Sequence, residues 1–393
     1  MPEIARESGR TAVVIVIEGL SVQEDPPLHT LCPPLGRWVS RGRRGMLAWP
    51  AAGSDATLEK PGLFALFGLL PEVLSGRDLP SGYHMARAMG LADDAGLGWA
   101  VLGFTHLRQV QMDLHVVSRQ RTGQNQAEVA ALAQALAEEY LREGWRIHPG
   151  MGMELLLSTT LPLQVRTFPL AHLEGRRTLD LLPQGADAAS LLRLLTTGQL
   201  ILARHPLNQE RQAQGRLPLN TPWIWGVGRD HGEKTPPPPT TRGVCWSAEP
   251  LVASLAHSDG WRPCLLDDEE QVPTALLPDI LDQVARGDRA LVHLQAPALL
   301  VQHGLPSQRK NHLRMLGDLL LAPLAAALRP LAVPLVVLSG PCLAPDGMVL
   351  PEPSPWLMPP EETRSTRPWF WPKWSGRRGD ILAMANFRQA WMA

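Results

Sequence analysis

Ten residues near the N-terminus, TAVVIVIEGL (Thr11–Leu20), constrain the fold more than any other stretch of the chain. The run is apolar and β-branched without alternation, so a strand made from it must be buried on both faces. That is the pattern of a central parallel strand, whose C-terminal end here opens into a loop at Glu18-Gly19. Further along, NQAEVAALAQALAEEYLREG carries apolar residues at three- and four-residue spacing and ends at Gly144, which predicts a helix. ASLLRLLTTGQLILARHP predicts another, ended by Pro206. TALLPDILDQVARGDRALVHLQAP predicts a helix, a turn and a buried strand around Ala290–Leu294. QRKNHLRMLGDLLLAPLAAALRP predicts one helix, and AVPLVVLSGP one more buried strand. Strands alternating with helices give an α/β fold with a mainly parallel sheet.

The 393 residues, 45% hydrophobic, suffice for a full core and, on length, about two domains. GEKTPPPPTTRG can continue neither helix nor strand, and a domain boundary is placed there. The net charge of −1 excludes a global field toward nucleic acid or anionic lipid, so neither is expected as a partner. Charged residues interrupt each apolar run before the roughly 20 residues a membrane span needs. Cys32, Cys245, Cys264 and Cys342 are far apart in sequence, form no CxxC pair and read as reduced thiols of a cytoplasmic protein.

The segment HPLNQERQAQGRLPLNTPWIWGVG (His205–Gly228) packs Asn, Arg, Trp and Gly into a spacing that resembles the signature of the archaeal-type, cofactor-independent (2,3-bisphosphoglycerate-independent) phosphoglycerate mutase family. Weaker similarities follow in the same order over residues 12–358: VVIVIEGL, LCPPLGRWVSRGRRGML, AAGSDATLEKPGLFALFGL, ALVHLQAP and PLVVLSGPCLAPDGMVLPEPSPWLM. The resemblance implies an alkaline-phosphatase-like, three-layer α/β core with a mainly parallel sheet, interrupted by an inserted α+β domain. On that basis the core comprises 1–95 and 239–360, the insert 96–238, and 361–393 form a Pro/Trp-rich C-terminal tail. It also implies a phosphoryl-transfer mechanism in which a Ser attacks, two divalent metals hold the oxygens, and Arg side chains clamp the substrate.

Carried over position by position, that machinery is incomplete. Ser54 fills the nucleophile position of the GSD loop, and Glu18 replaces the first-strand Asp ligand. QAPALLVQHG places Ala298 at a ligand Asp and Gln302 at a ligand His. His303 is one residue further, and on an extended segment it would face the opposite side. SGPCLAP offers Gly340 and Pro341 where an adjacent Asp-His pair is expected, and Asp346 is the nearest substitute for the last ligand. Phe104, Ser118 and Glu154 stand at three Arg positions, and His106 stands near an Asn position. Such sites take several carboxylate or imidazole ligands per ion. No metal cofactor is therefore expected, and the chain is expected to be a catalytically impaired relative that binds a protein partner or a small phosphorylated ligand. The alternative is an active mutase or phosphatase with Ser54 as nucleophile and Mn or Zn held by Glu18, Ser54, His303 and Asp346.

Within the signature itself, Asn208, Arg211 and Asn220 are the candidate substrate donors. The competing expectation is architectural, with Trp rings as packing and Gly and Asn as turn formers. His29, His84, His106 and His303 are candidates for a general base beside Ser54. The tail segment PWFWPKWSGRR either holds a partner or packs on its own domain.

Overall fold

The computed structural model describes residues 11–18, 20, 30, 32–41, 44–48, 61–69, 78–92, 96–117, 119–161, 164–170, 178–229, 242–266, 272–302, 305–339, 354–357 and 381–383. Strand β1 (Val13–Ile17) is followed by α1 (Pro33–Arg41), β2 (Arg44–Ala48) and α2 (Pro61–Leu66). Next come α3 (Ser81–Ala88), β3 (Gly98–Val110), β4 (Asp113–Val117), α4 (Arg119–Thr122), α5 (Gln126–Arg142), β5 (Trp145–Pro149) and β6 (Leu155–Thr159). Helices α6 (Ala188–Ala203) and α7 (Pro206–Ala213) lead to β7 (Thr221–Gly228). The last part holds β8 (Gly243–Ser247), α8 (Pro250–Ser258), β9 (Arg262–Leu265), α9 (Val272–Ala285), β10 (Arg289–Leu294) and α10 (Ala296–Gln302). It closes with α11 (Pro306–Leu316), α12 (Ala322–Leu328), β11 (Leu335–Ser339), β12 (Ser354–Leu357) and β13 (Ile381–Ala383).

The chain divides into two compact units, one of residues 1–70 and 236–393, the other of residues 71–235. The first is built on an eight-stranded sheet of order β13-β2-β12-β11-β1-β10-β8-β9. β1 pairs in parallel with β10 and β11, and β8 in parallel with β10 and β9, so the centre is parallel. Only β12 runs antiparallel to its two neighbours. All five β1 residues are buried, as a central strand with both faces covered requires. Val13, Ile15 and Ile17 join Val244, Trp246, Val292, Leu294, Leu335 and Val337 in one cluster with residues of α1, α9, α11 and α12. On the other face α8 packs against β8 and β9, and α2 packs against α8.

The second unit is antiparallel. Its long β3 pairs with β6 and β7 through its first part and with β4 through its second. Helices α5 and α6 pack together over this sheet, with Leu132, Leu136, Leu191 and Leu194 buried among Leu102, Phe104, Leu157 and Ile224. Helix α3 packs on β3 and β7 and belongs to this unit.

One helix expectation is corrected. The segment 306–328 is not one uniform α-helix: a π-helical turn spans Gly317–Leu321 just before Pro323, which has no N–H to continue the ladder. Near the C-terminus, β12 and β13 join the large sheet through β2. Cys32, Cys245 and Cys264 are free thiols, while Cys342 and the PWFWPKWSGRR segment lie outside the described residues. Among the described residues no helix is long and apolar enough to cross a membrane.

Candidate functional site

The chemistry-bearing side chains of the first unit gather at the carboxyl ends of the parallel strands, the edge where open α/β sheets bind ligands. Strand register explains why. His293 lies opposite Val16 on one side and Ser247 on the other. The backbone N–H of Glu18 donates to the Leu294 carbonyl at 2.8 Å, extending the ladder one residue beyond β1. Side chains two residues apart share a face, so Glu18 stands above Val16 and beside His293. The result is a buried chain of polar groups. His293 Nε2 lies 2.9 Å from Glu18 Oε1, and His293 Nδ1 lies 3.0 Å from Ser247 Oγ. Glu18, Ser247 and His293 are all buried. An ionised carboxylate can only accept, so Nε2–H is the donor to Glu18.

Ser247 also turns the chain. Its hydroxyl accepts the backbone N–H of Glu249 at 3.0 Å, bending the end of β8 into α8. Glu249 is the N-cap residue of α8, yet its side chain makes no capping bond. Its carboxylate is instead directed at the other two groups. Ligand atoms of Glu18, Glu249 and His293 all lie within 4.8 Å of one another. On the other side of β1, the buried Ser339 hydroxyl donates to the Leu20 carbonyl and ties down the loop that leaves the strand.

The candidates expected from sequence are distributed differently. Of the proposed ligand set Glu18, Ser54, His303 and Asp346, only Glu18 falls within the described residues, as a member of this cluster. His29 also lies outside them. Ala298 is buried on α10. Because this segment is helical, positions 298 and 302 lie one turn apart; His303 lies outside the described residues. Sequence reasoning missed His293, Ser247 and Glu249. The signal was present in ALVHLQAP: a His inside a buried strand, two residues from the point where the strand ends.

The signature donors are engaged inside the second unit. Arg211 is 1% exposed. It donates to Glu128 Oε1 at 2.7 Å, to the Leu217 carbonyl at 2.8 Å and to the Thr122 carbonyl. Glu128 closes a capping box with Asn125 at the start of α5 and also binds Arg216, so one carboxylate joins two segments and a helix end. Its neighbouring guanidinium groups and capping bond outweigh burial and hold its pKa below the usual value. Asn208, on α7, ties the end of α6 to the segment before β7: it donates to the Leu202 and Leu219 carbonyls and accepts the Leu219 N–H at 2.7 Å. Asn220 mimics a strand partner: it accepts the Leu107 N–H at 2.8 Å and donates to the Leu107 carbonyl at 3.1 Å. The polar atoms of Asn208, Arg211 and Asn220 thus hold backbone and, for Arg211, a buried carboxylate. His106 Nδ1 meets the Pro218 carbonyl at 2.8 Å, burial lowers its pKa, and His84 is buried on α3. Phe104, at an expected Arg position, lies in the hydrophobic cluster of this unit.

No family model matches the chain. Among curated proteins it is similar to the 2,3-bisphosphoglycerate-independent phosphoglycerate mutase of Methanothrix thermoacetophila, with 24% identity over 193 residues, 46% of this chain and 47% of that protein. The enzyme of the same description from Methanosarcina acetivorans is 30% identical over 103 residues, 26% of each chain. The chain is a divergent relative of these mutases. The aligned parts thus span about half of the first protein and about a quarter of the second. The PH0037 protein from Pyrococcus horikoshii matches the fold nearly end to end, with a TM-score of 0.60 and 15% identity, covering 98% of this chain and 97% of that one. In this mutase relative the mainly parallel sheet and the separate antiparallel sheet are the two expected parts of the fold.

Proposed function

We infer that this mutase-like protein has lost phosphoglycerate interconversion and works by binding, either of a small phosphorylated ligand or of a protein partner. The observation that carries the reading is Ala298. At the position where the resemblance places a ligand Asp, the chain has a buried methyl group at the start of α10. Gly340 and Pro341 add no side-chain ligand atom at two further positions. A two-metal displacement needs ions on both the attacking and leaving oxygens, and ligands enough for each. The described residues offer one such group, Glu18, Glu249 and His293. On the substrate side, Phe104 replaces a guanidinium with a ring packed in the hydrophobic core, which no phosphate can reach.

A coupled assay of 3- to 2-phosphoglycerate conversion, run with Mn²⁺ and then Zn²⁺ at high protein concentration, tests this reading. Conversion at the blank rate, unchanged in Ser54→Ala, is the expected result. Metal-dependent conversion that disappears in Ser54→Ala overturns it and makes the chain a working phosphoryl-transfer enzyme with a rebuilt site.

A further inference from the structure

We propose that Glu18, Glu249 and His293 form a site for a single divalent transition-metal ion at the ends of β1, β8 and β10. The resemblance assigns a ligand role to the position of Glu18 alone; His293 and Glu249 match none of the ligand positions it carries. Three observations converge on the site. The first is donor chemistry: two carboxylates and one imidazole form a mixed oxygen and nitrogen set suited to Mn²⁺, Fe²⁺ or Zn²⁺. The second is proximity, with all three sets of ligand atoms inside 4.8 Å although the residues come from three separate parts of the chain. The third is the support behind the imidazole. Ser247 Oγ lies 3.0 Å from His293 Nδ1 and is itself fixed by the Glu249 N–H, so the ring is held with Nε2 toward the carboxylates. A histidine ligand oriented through its other nitrogen is the usual arrangement behind a protein-bound metal.

Charge points the same way. Glu18 is 2% exposed, and a second carboxylate lies within 4.8 Å of it. A dication bound between them would offset the mutual repulsion of the two carboxylates. The ion displaces the proton on His293 Nε2. The imidazole stays neutral by carrying that one proton on Nδ1 instead, reached by exchange with solvent, and donates it to Ser247 Oγ, which accepts in that bond. Glu249 is only half-buried, so the ion enters from its side. Three protein ligands leave coordination positions open, so the ion can take an oxygen of a small anionic ligand.

The test is Mn²⁺ binding to the purified full chain, followed by equilibrium dialysis and by electron spin-echo spectroscopy. One ion per chain is expected, coupled to one imidazole nitrogen. Glu249→Gln is expected to weaken binding at least about tenfold, and Ser247→Ala by about 10- to 100-fold. His293→Gln is expected to remove the nitrogen coupling. Circular dichroism confirms folding, and Glu249→Gln keeps the test valid should the buried His293 variant unfold. No Mn²⁺ retained at about millimolar concentration overturns the site, as does binding that Glu249→Gln and His293→Gln leave unchanged. These outcomes are separable from the loss of turnover, because they are read without substrate.

Discussion

The two units retain their family resemblance in opposite ways. In the antiparallel unit the motif is close to the family signature, and its polar side chains are consumed by the fold: Arg211, Asn208 and Asn220 all bond backbone or a buried carboxylate. In the parallel unit the motifs are weak, yet the strand ends bring a carboxylate, an imidazole and a second carboxylate together. Similarity to a signature therefore reports where the fold demands a residue, and the demand can be architectural. Chemistry follows strand register, and register is invisible to a motif.

The comparison breaks most sharply at Arg211. Arg211→Met removes one of the two guanidinium partners of Glu128 and the donors to the Leu217 and Thr122 carbonyls, and is expected to destabilise the antiparallel unit by about 3 kcal/mol. Hydrogen exchange on peptides from β3 and β7 reads this directly. Unchanged protection would return Arg211 to the substrate-facing role. Gly226→Ala comes next. Gly226 has φ +65°, and an added Cβ would sit 2.7 Å from Ser81 Cβ, pushing α3 off β7. A loss of about 2 kcal/mol is expected by the same measurement, with the parallel unit unaffected.

A third effect is one of pH. Asp78 is buried where α3 meets β7. It accepts the Thr167 N–H at 2.6 Å, the Val227 N–H at 3.1 Å and the Thr167 hydroxyl. Burial nevertheless pushes its carboxyl up to about 7. The folded chain then holds a proton that the unfolded chain releases above its ordinary value of 3.8. The contribution is complete below that value and is lost as pH rises toward 7, so protection of β7 is expected to fall over this range. Asp78→Asn should flatten the slope; a slope that persists assigns it to another group.

Much of the fold was legible because its signals are local. The β-branched run of β1, the helix periodicity of α5, and the Gly and Pro stops each act within a few residues. The π-turn at Gly317–Leu321 and the joining of β13 to β2 were not, since both depend on packing between distant segments. The same limit explains the site. Glu18 was singled out because it stands at a recognised position. His293 and Glu249 were overlooked because they meet it only across 275 residues of chain in one case and through a serine turn in the other.

The most direct test of the account is anomalous diffraction from crystals of the full chain grown with Mn²⁺. One peak per chain, bounded by Glu18, Glu249 and His293, is the predicted result. Two peaks with Ser54 between them would contradict it, because that arrangement is a two-ion phosphoryl-transfer centre.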